Sequence, residues 1–150
     1  MEFIEVVLKR RSVRQFAPDP IPDEILHILL ETGRQAPSGG NRQNWHFGVV
    51  KNKERKMQLA KAAGEQLWIA DAPVVLALCA DIEERENLFD GNNEVFSVDS
   101  LRFGKELMSY LQKYPDKKAL SVLFENASPA IPGEHIFLAA VNFGLSACWI

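Results

Sequence analysis

The sequence is short of the residue types from which cross-linked and metal-stapled folds are made. It holds two cysteines and three histidines. Cys79 and Cys148 each lie inside an apolar run, where a small buried hydrophobe is the expected role and a disulfide is not. That usage suits a reducing cytoplasm. Histidine and cysteine are too scattered to make a metal-ligand cluster, so no metal is expected. Long hydrophobic runs are missing as well, none approaching the ~20 residues that span a bilayer. Met1-Glu2-Phe3-Ile4-Glu5 is acidic and lacks the apolar core of a secretion signal. Positive charge is not in excess, and the net charge of −3 removes any global electrostatic case for nucleic acid or an anionic membrane. There is no internal repeat, linker or low-complexity segment, and no Ser-His-Asp or paired-carboxylate arrangement. What is there is 150 residues, 47% hydrophobic and 25% charged. That is ordinary globular composition, and one domain over 1–150 of this size buries roughly two thirds of its unfolded surface.

Two polar stretches stand out against that background. The first is Ala36-Pro37-Ser38-Gly39-Gly40-Asn41-Arg42-Gln43-Asn44-Trp45-His46-Phe47. Pro37 disfavours helix at Ala36, so a helix should end about there. Gly39 and Gly40 permit positive φ and a close approach to the backbone. Ser38, Asn41, Arg42, Gln43 and Asn44 crowd polar side chains into one turn. Trp45 and Phe47 then re-enter the interior with strand spacing. Such a stretch is either a plain helix-to-strand turn or a ligand loop. The second stretch is Lys9-Arg10-Arg11-Ser12-Val13-Arg14. Its crowded cations repel one another unless solvent or an anion separates them, so it is a solvated basic corner or an anion site. If extended, it places Arg10, Ser12 and Arg14 on one side. Two guanidiniums flanking a hydroxyl suit a phosphate or another polar anion.

The remaining pattern sets these stretches among helices and strands. Residues 2–9 read as a helix with Phe3, Val6 and Val7 on one side. Pro22 can open the next helix at its first position, with Asp23 and Glu24 near the positive dipole end. Ile25, Leu26, Ile28, Leu29 and Thr32 give that helix a buried face, and Gly33 weakens its last turn by up to ~1 kcal/mol relative to Ala. Trp45 to Val50 is a strand. Asn52 caps a helix over 53–63 with Met57, Ala60 and Ala63 inward and the lysines and arginine outward. Val74–Ala80 is apolar without alternation, as in a strand covered on both faces. Residues 81–99 read as a loop or lid, and 100–113 as a helix with Leu101, Leu107, Met108 and Leu111 apolar. Met108 has a core role there. Residues 117–125 form another helical turn or two. Pro132 begins a last helix that Gly144 caps, and Ser146–Ile150 reads as a third strand. Strands separated by helices make a sheet with helices on its faces.

Four segments together resemble the nitroreductase family, the flavin-dependent NAD(P)H oxidoreductases. They are Arg10-Arg11-Ser12-Val13-Arg14, Ala36 through Trp45, Ala72-Pro73-Val74-Val75, and Leu138-Ala139-Ala140 running to Gly144 and Ile150. Their order and spacing match from near residue 2 to residue 150, loosely over 81–130. The resemblance implies an α+β fold, a central mixed sheet flanked by helices in three layers, with FMN held noncovalently at a homodimer interface. It places Arg10 and Ser12 at the FMN phosphate and ribityl chain, Arg11 in the same cofactor-binding segment with a side chain free to point elsewhere, and Arg14 as a cation near the flavin pyrimidine edge. There Arg14 would stabilise the reduced ring and raise its potential. Pro37, Ser38, Gly39, Asn41 and Gln43 would pack on FMN from the other subunit.

The implied activity is ping-pong: NADH or NADPH reduces the flavin, leaves, and a nitroaromatic, quinone or similar conjugated small molecule is reduced in turn. A flavin-fragmenting or dehalogenating branch of the superfamily shares these motifs, and a nonenzymatic flavin carrier would also keep Arg10, Ser12 and Arg14. A basic-patch binding module would account only for residues 9–14. The sequence departs from the family at Asn44, where a proline is usual. It also departs after Ile150, where the family has a further strand and a C-terminal arm that adds basic residues to the phosphate. The expectation is therefore the N-terminal part of a longer chain, or a shortened variant that compensates through tighter dimer contacts, with the phosphate left in either case chiefly to Arg10 and neighbouring donors.

Overall fold

The structure is a computed structural model that describes residues 1–82 and 100–150. Most of the expected loop or lid, from residue 83 to 99, lies outside the described residues. Among the described residues, six helices with defined bounds and a further helical stretch at 100–103 accompany a two-stranded antiparallel sheet. The six are α1 (Phe3–Lys9), α2 (Asp23–Arg34), α3 (Lys53–Ala62), α4 (Lys105–Gln112), α5 (Lys117–Glu125) and α6 (Ala130–Asn142). The strands are β1 (Trp45–Val50) and β2 (Val75–Ala80), in a register running from Trp45 opposite Ala80 to Val50 opposite Val75.

That register sorts the strand pair into two faces. Phe47, Leu76 and Leu78 point to one side, where they pack on Leu29 of α2 and on Ile136 and Ala140 of α6. On the other side Val75 joins Ala60 of α3 with Ile69 and Ala70 of a 3₁₀ segment, Leu67–Asp71. The layers are therefore α2 and α6, the sheet, then α3, an α+β arrangement as expected. α1 packs on α6 through Val6, Phe137 and Val141.

Local chemistry explains most element ends. Asn52 Oδ1 accepts from the Arg55 N–H at 2.9 Å, capping α3, and Asp116 caps α5 through the Ala119 N–H at 2.9 Å. Pro22 sits one position earlier than expected, as the N-cap of α2. Pro129 is the N-cap of α6, so Pro132 lies inside that helix rather than opening it. Gly144, at φ +76°, follows the end of α6 as a left-handed cap. Gly33 has a packing role that helix propensity hides: a Cβ there would fall 2.7 Å from Ile136 Cδ1. The missing side chain is what lets α2 lie close on α6.

Several expectations need correction. Lys56 is buried, not outward, because its ammonium donates to the Ala72 carbonyl across the turn into β2. Cys79 is exposed and Cys148 only half-buried, both free thiols. Cys79 lies opposite His46 on the sheet face that the α3 cluster meets only at its Val75 end. β2 is thus not fully covered on both faces among the described residues. Phe3 and Val7 are exposed, and Val6 alone of the α1 set is buried. The helix expected over 100–113 is interrupted at Gly104, at φ +87°. Met108 and Leu111 are buried there while Leu101 and Leu107 are exposed. The third strand reduces to one isolated parallel bridge, Ser12 to Ala147. Trp149 turns instead onto α6, where its ring and Leu78 occupy the space a Cβ on Gly133 would need.

Candidate functional site

The basic segment is extended, as alternation requires if its polar groups are to share a side. Arg10, the C-cap of α1, has φ −55° and ψ 127°. Ser12 bridges to Ala147, and the Val13 N–H donates to the Ala147 carbonyl at 3.0 Å. The stretch after α6 therefore aligns the segment. Each arginine then meets a different environment. Arg10 lies over the Phe137 ring, 5.5 Å from its centroid, and Arg14 over Trp68 at 5.7 Å. Arg11 folds back and donates to the carbonyls of Leu8 at 2.9 Å and Arg10 at 2.8 Å, which closes the C-terminal end of α1.

Among the described residues, the guanidiniums of Arg10 and Arg14 and the hydroxyl of Ser12 have no hydrogen-bond or ion-pair partner. Their aromatic supports hold the cations by charge–quadrupole attraction but leave every N–H donor available. Phe137, Trp68 and Phe16, whose ring lies 6.3 Å from that of Trp68, did not stand out in the sequence. Phe137 looked like one more core residue of an apolar helix, and Trp68 lay in a stretch without periodicity.

The polar loop is built differently. Gly39–Asn41 forms a 3₁₀ turn, and the Gln43 N–H donates to Ser38 Oγ at 2.9 Å. The left-handed residues are Asn41 at φ 53° and Gln43 at φ 49°, whereas Gly39, where positive φ was expected, does not adopt it. Asn tolerates that region better than most side chains. Pro37 lies between the end of α2 and the turn.

Glu125 at the end of α5 braces the loop from outside. It pairs with Arg42 at 3.0 Å and accepts from Asn44 Nδ2, while Ser128 Oγ donates to Asn44 Oδ1 at 2.7 Å. Asn44, the departure from the usual proline, thus replaces backbone stiffness with side-chain bonds. No sequence signal marks Glu125, which lies in the stretch that matches the family only loosely. At the other end of the loop, Glu31 accepts from Arg34 at 2.6 Å and from Gln35 at 2.9 Å. The Arg34 hydrogen bond, then that of Gln35, holds the Glu31 carboxyl down to about 2.

The basic segment and the loop are held by separate elements, α6 with the stretch around Ala147 in one case and α5 in the other. No group of His, Cys, Asp and Glu that could hold a metal ion occurs among the described residues.

The fold is α+β, and its basic segment carries two guanidiniums over aromatic rings and a hydroxyl without a hydrogen-bond partner among the described residues. The chain is a member of the nitroreductase family, whose model matches residues 7–150. It is 44% identical over 77 residues to an NADH dehydrogenase of Thermus thermophilus, covering 51% of this chain and 38% of that one. It is 36% identical over 98 residues to the FMN reductase [NAD(P)H] of Bacillus subtilis, covering 63% and 39%. The solved structure of NfrA2 from B. megaterium superposes with a TM-score of 0.68 at 27% identity, covering 97% of this chain and 52% of that one. The chain therefore spans between about a third and about half of the length of these proteins. No helix among the described residues is long and apolar enough to cross a membrane.

Proposed function

We propose that the chain binds FMN and works as an NAD(P)H-dependent oxidoreductase. The observation that carries this reading is the extended segment on which Arg10, Ser12 and Arg14 keep their donors uncommitted, in a chain of the nitroreductase family. The donor set fits the cofactor. Arginine recognises a phosphate through paired N–H donors and a hydroxyl adds another, and the ring beneath each cation leaves those donors free for it. Bound FMN would supply the redox chemistry, taking hydride from NADH or NADPH and passing it to a nitroaromatic, quinone or related conjugated acceptor in ping-pong order.

The protein's own part is binding and electrostatics. Arg10 and Ser12 would anchor the phosphate and ribityl chain. Arg11 would contribute to that end mainly by fixing the backbone, since its guanidinium is engaged on α1 carbonyls. Arg14 would set a permanent positive charge at the pyrimidine edge, where reduction leaves negative charge. Pro37, Ser38, Gly39, Asn41 and Gln43 would form a polar wall supplied by a second copy in a homodimer. The exposed Phe3, Ile4 and Leu8 of α1 supply apolar surface for such an assembly. A cytoplasmic location completes the proposal. The test is anaerobic addition of NADH, then NADPH, to the FMN-loaded protein. Loss of the flavin's visible absorbance with either, and its return on adding a quinone, is the expected result. A flavin that stays oxidised with both would leave a carrier rather than an enzyme.

A further inference from the structure

We infer that Trp68 is a positioning residue for Arg14, its indole face fixing where the guanidinium charge sits. The inference deepens the FMN reading above and rests on it only in part. Arg14 is an exposed side chain two residues beyond the Ser12–Ala147 bridge, with no polar partner among the described residues. A free arginine in that setting samples many rotamers and loses them on meeting a ligand. What restrains it is the ring of Trp68, 5.7 Å from the guanidinium carbon. Tryptophan gives the strongest cation–ring attraction of the aromatic side chains.

The indole is itself well placed to act as a support. It lies in the 3₁₀ segment Leu67–Asp71, whose Ile69 and Ala70 are buried against Ala60 of α3. Phe16, two residues beyond Arg14, packs on it at 6.3 Å with the rings inclined by 33°. A core cluster therefore anchors the backbone that carries the indole, and Phe16 ties the indole to the segment that carries Arg14. The cation lies over the ring and keeps its N–H donors for a ligand. Arg10 over Phe137 is the same device at the other end of the segment, on a different helix. That makes Arg10 an internal control.

Two measurements decide the matter, and they fail separately. In FMN-free protein labelled on arginine side chains, the Arg14 Nε–H signal is expected to carry a ring-current displacement that Trp68→Leu removes and Trp68→Phe keeps in part. The Arg10 signal should not move in either variant, which also reports an intact fold. An Arg14 signal unchanged in Trp68→Leu overturns the inference whatever the cofactor does. In FMN-saturated protein, Trp68→Leu is expected to lower the ratio of reduced to oxidised FMN affinity about tenfold, which is about 30 mV in a two-electron potential. Trp68→Phe should restore most of that, and the double variant with Arg14→Gln should fall no lower than Arg14→Gln alone. Additive shifts in the double variant would show that Trp68 acts independently of Arg14 and overturn the positioning role. Failure to bind FMN would remove the functional reading, while the side-chain signal would still decide whether Trp68 holds Arg14.

Discussion

Arg10, Arg11 and Arg14 show how little a residue's name says about its work. Three like side chains within five positions meet an aromatic ring, a helix end and a second ring. Alternation in the sequence makes Arg10, Ser12 and Arg14 candidates for one side of an extended segment, and the two cations rest on different elements, Phe137 of α6 and Trp68. It could not assign Arg11, because carbonyls left over at the end of α1 become acceptors only once the helix boundary is known. The sequence likewise shows Gly39 as a flexible position, yet it does not adopt positive φ, whereas Asn41 and Gln43 do. The turn takes its shape from the bond between Ser38 Oγ and the Gln43 N–H, which no propensity scale contains. Arg14 provides the prediction at this scale. A charge-assisted contact is worth about 1.5–3 kcal/mol, so Arg14→Gln should lower the flavin midpoint potential by about 30–60 mV. Spectroelectrochemistry on the FMN-saturated variant measures it. A potential equal to that of the parent protein would reduce Arg14 to surface charge.

Elements with a strong period or a cap were legible from the sequence, and those set by distant partners were not. α2, α3 and β1 fall where their apolar spacing, the Asn52 cap and the Pro37 break put them. The strand expected at Ser146–Ile150 failed because Trp149 found a niche at Gly133 rather than an edge to pair with. Gly33 looked like a weak point of α2 and is instead where α2 meets α6. Gly33→Ala should gain up to ~1 kcal/mol of helix propensity but lose about 1–3 kcal/mol to overpacking against Ile136, a net destabilisation. Urea unfolding measures the balance, and a more stable variant would mean that Ile136 repacks freely.

Glu125 gives a second test at this scale, since it joins α5 to the loop before β1 through Arg42 and Asn44. Its side chain is only 16% exposed, so the pair is not an ordinary surface bridge. Glu125→Ala should cost about 1.5–3 kcal/mol. A loss within ~0.5 kcal/mol in the same urea experiment would place the contact with surface ion pairs that contribute little.

For the whole molecule, the register of β1 against β2 decides what the two polar stretches are built on. One sheet face seats α2 and α6, and through α6 the basic segment. The other meets α3, whose cluster anchors the segment that carries Trp68. The charge balance of the chain gave no hint of this. A net charge of −3 hides a local run of cations, of which Arg10, Arg11 and Arg14 make no ion pair among the described residues. The family model spans 7–150, so the match covers both polar stretches and the helix that lies between them.

The measurement that bears most directly on the central claim is an FMN titration of the protein beside its Arg10→Ala and Arg11→Ala variants. Saturable binding is predicted, weakened about ten- to a hundredfold by Arg10→Ala through the loss of a charge-assisted contact, and much less by Arg11→Ala. No saturable binding, or equal affinity in the parent and Arg10→Ala proteins, would contradict the assignment of the extended basic segment as the cofactor site.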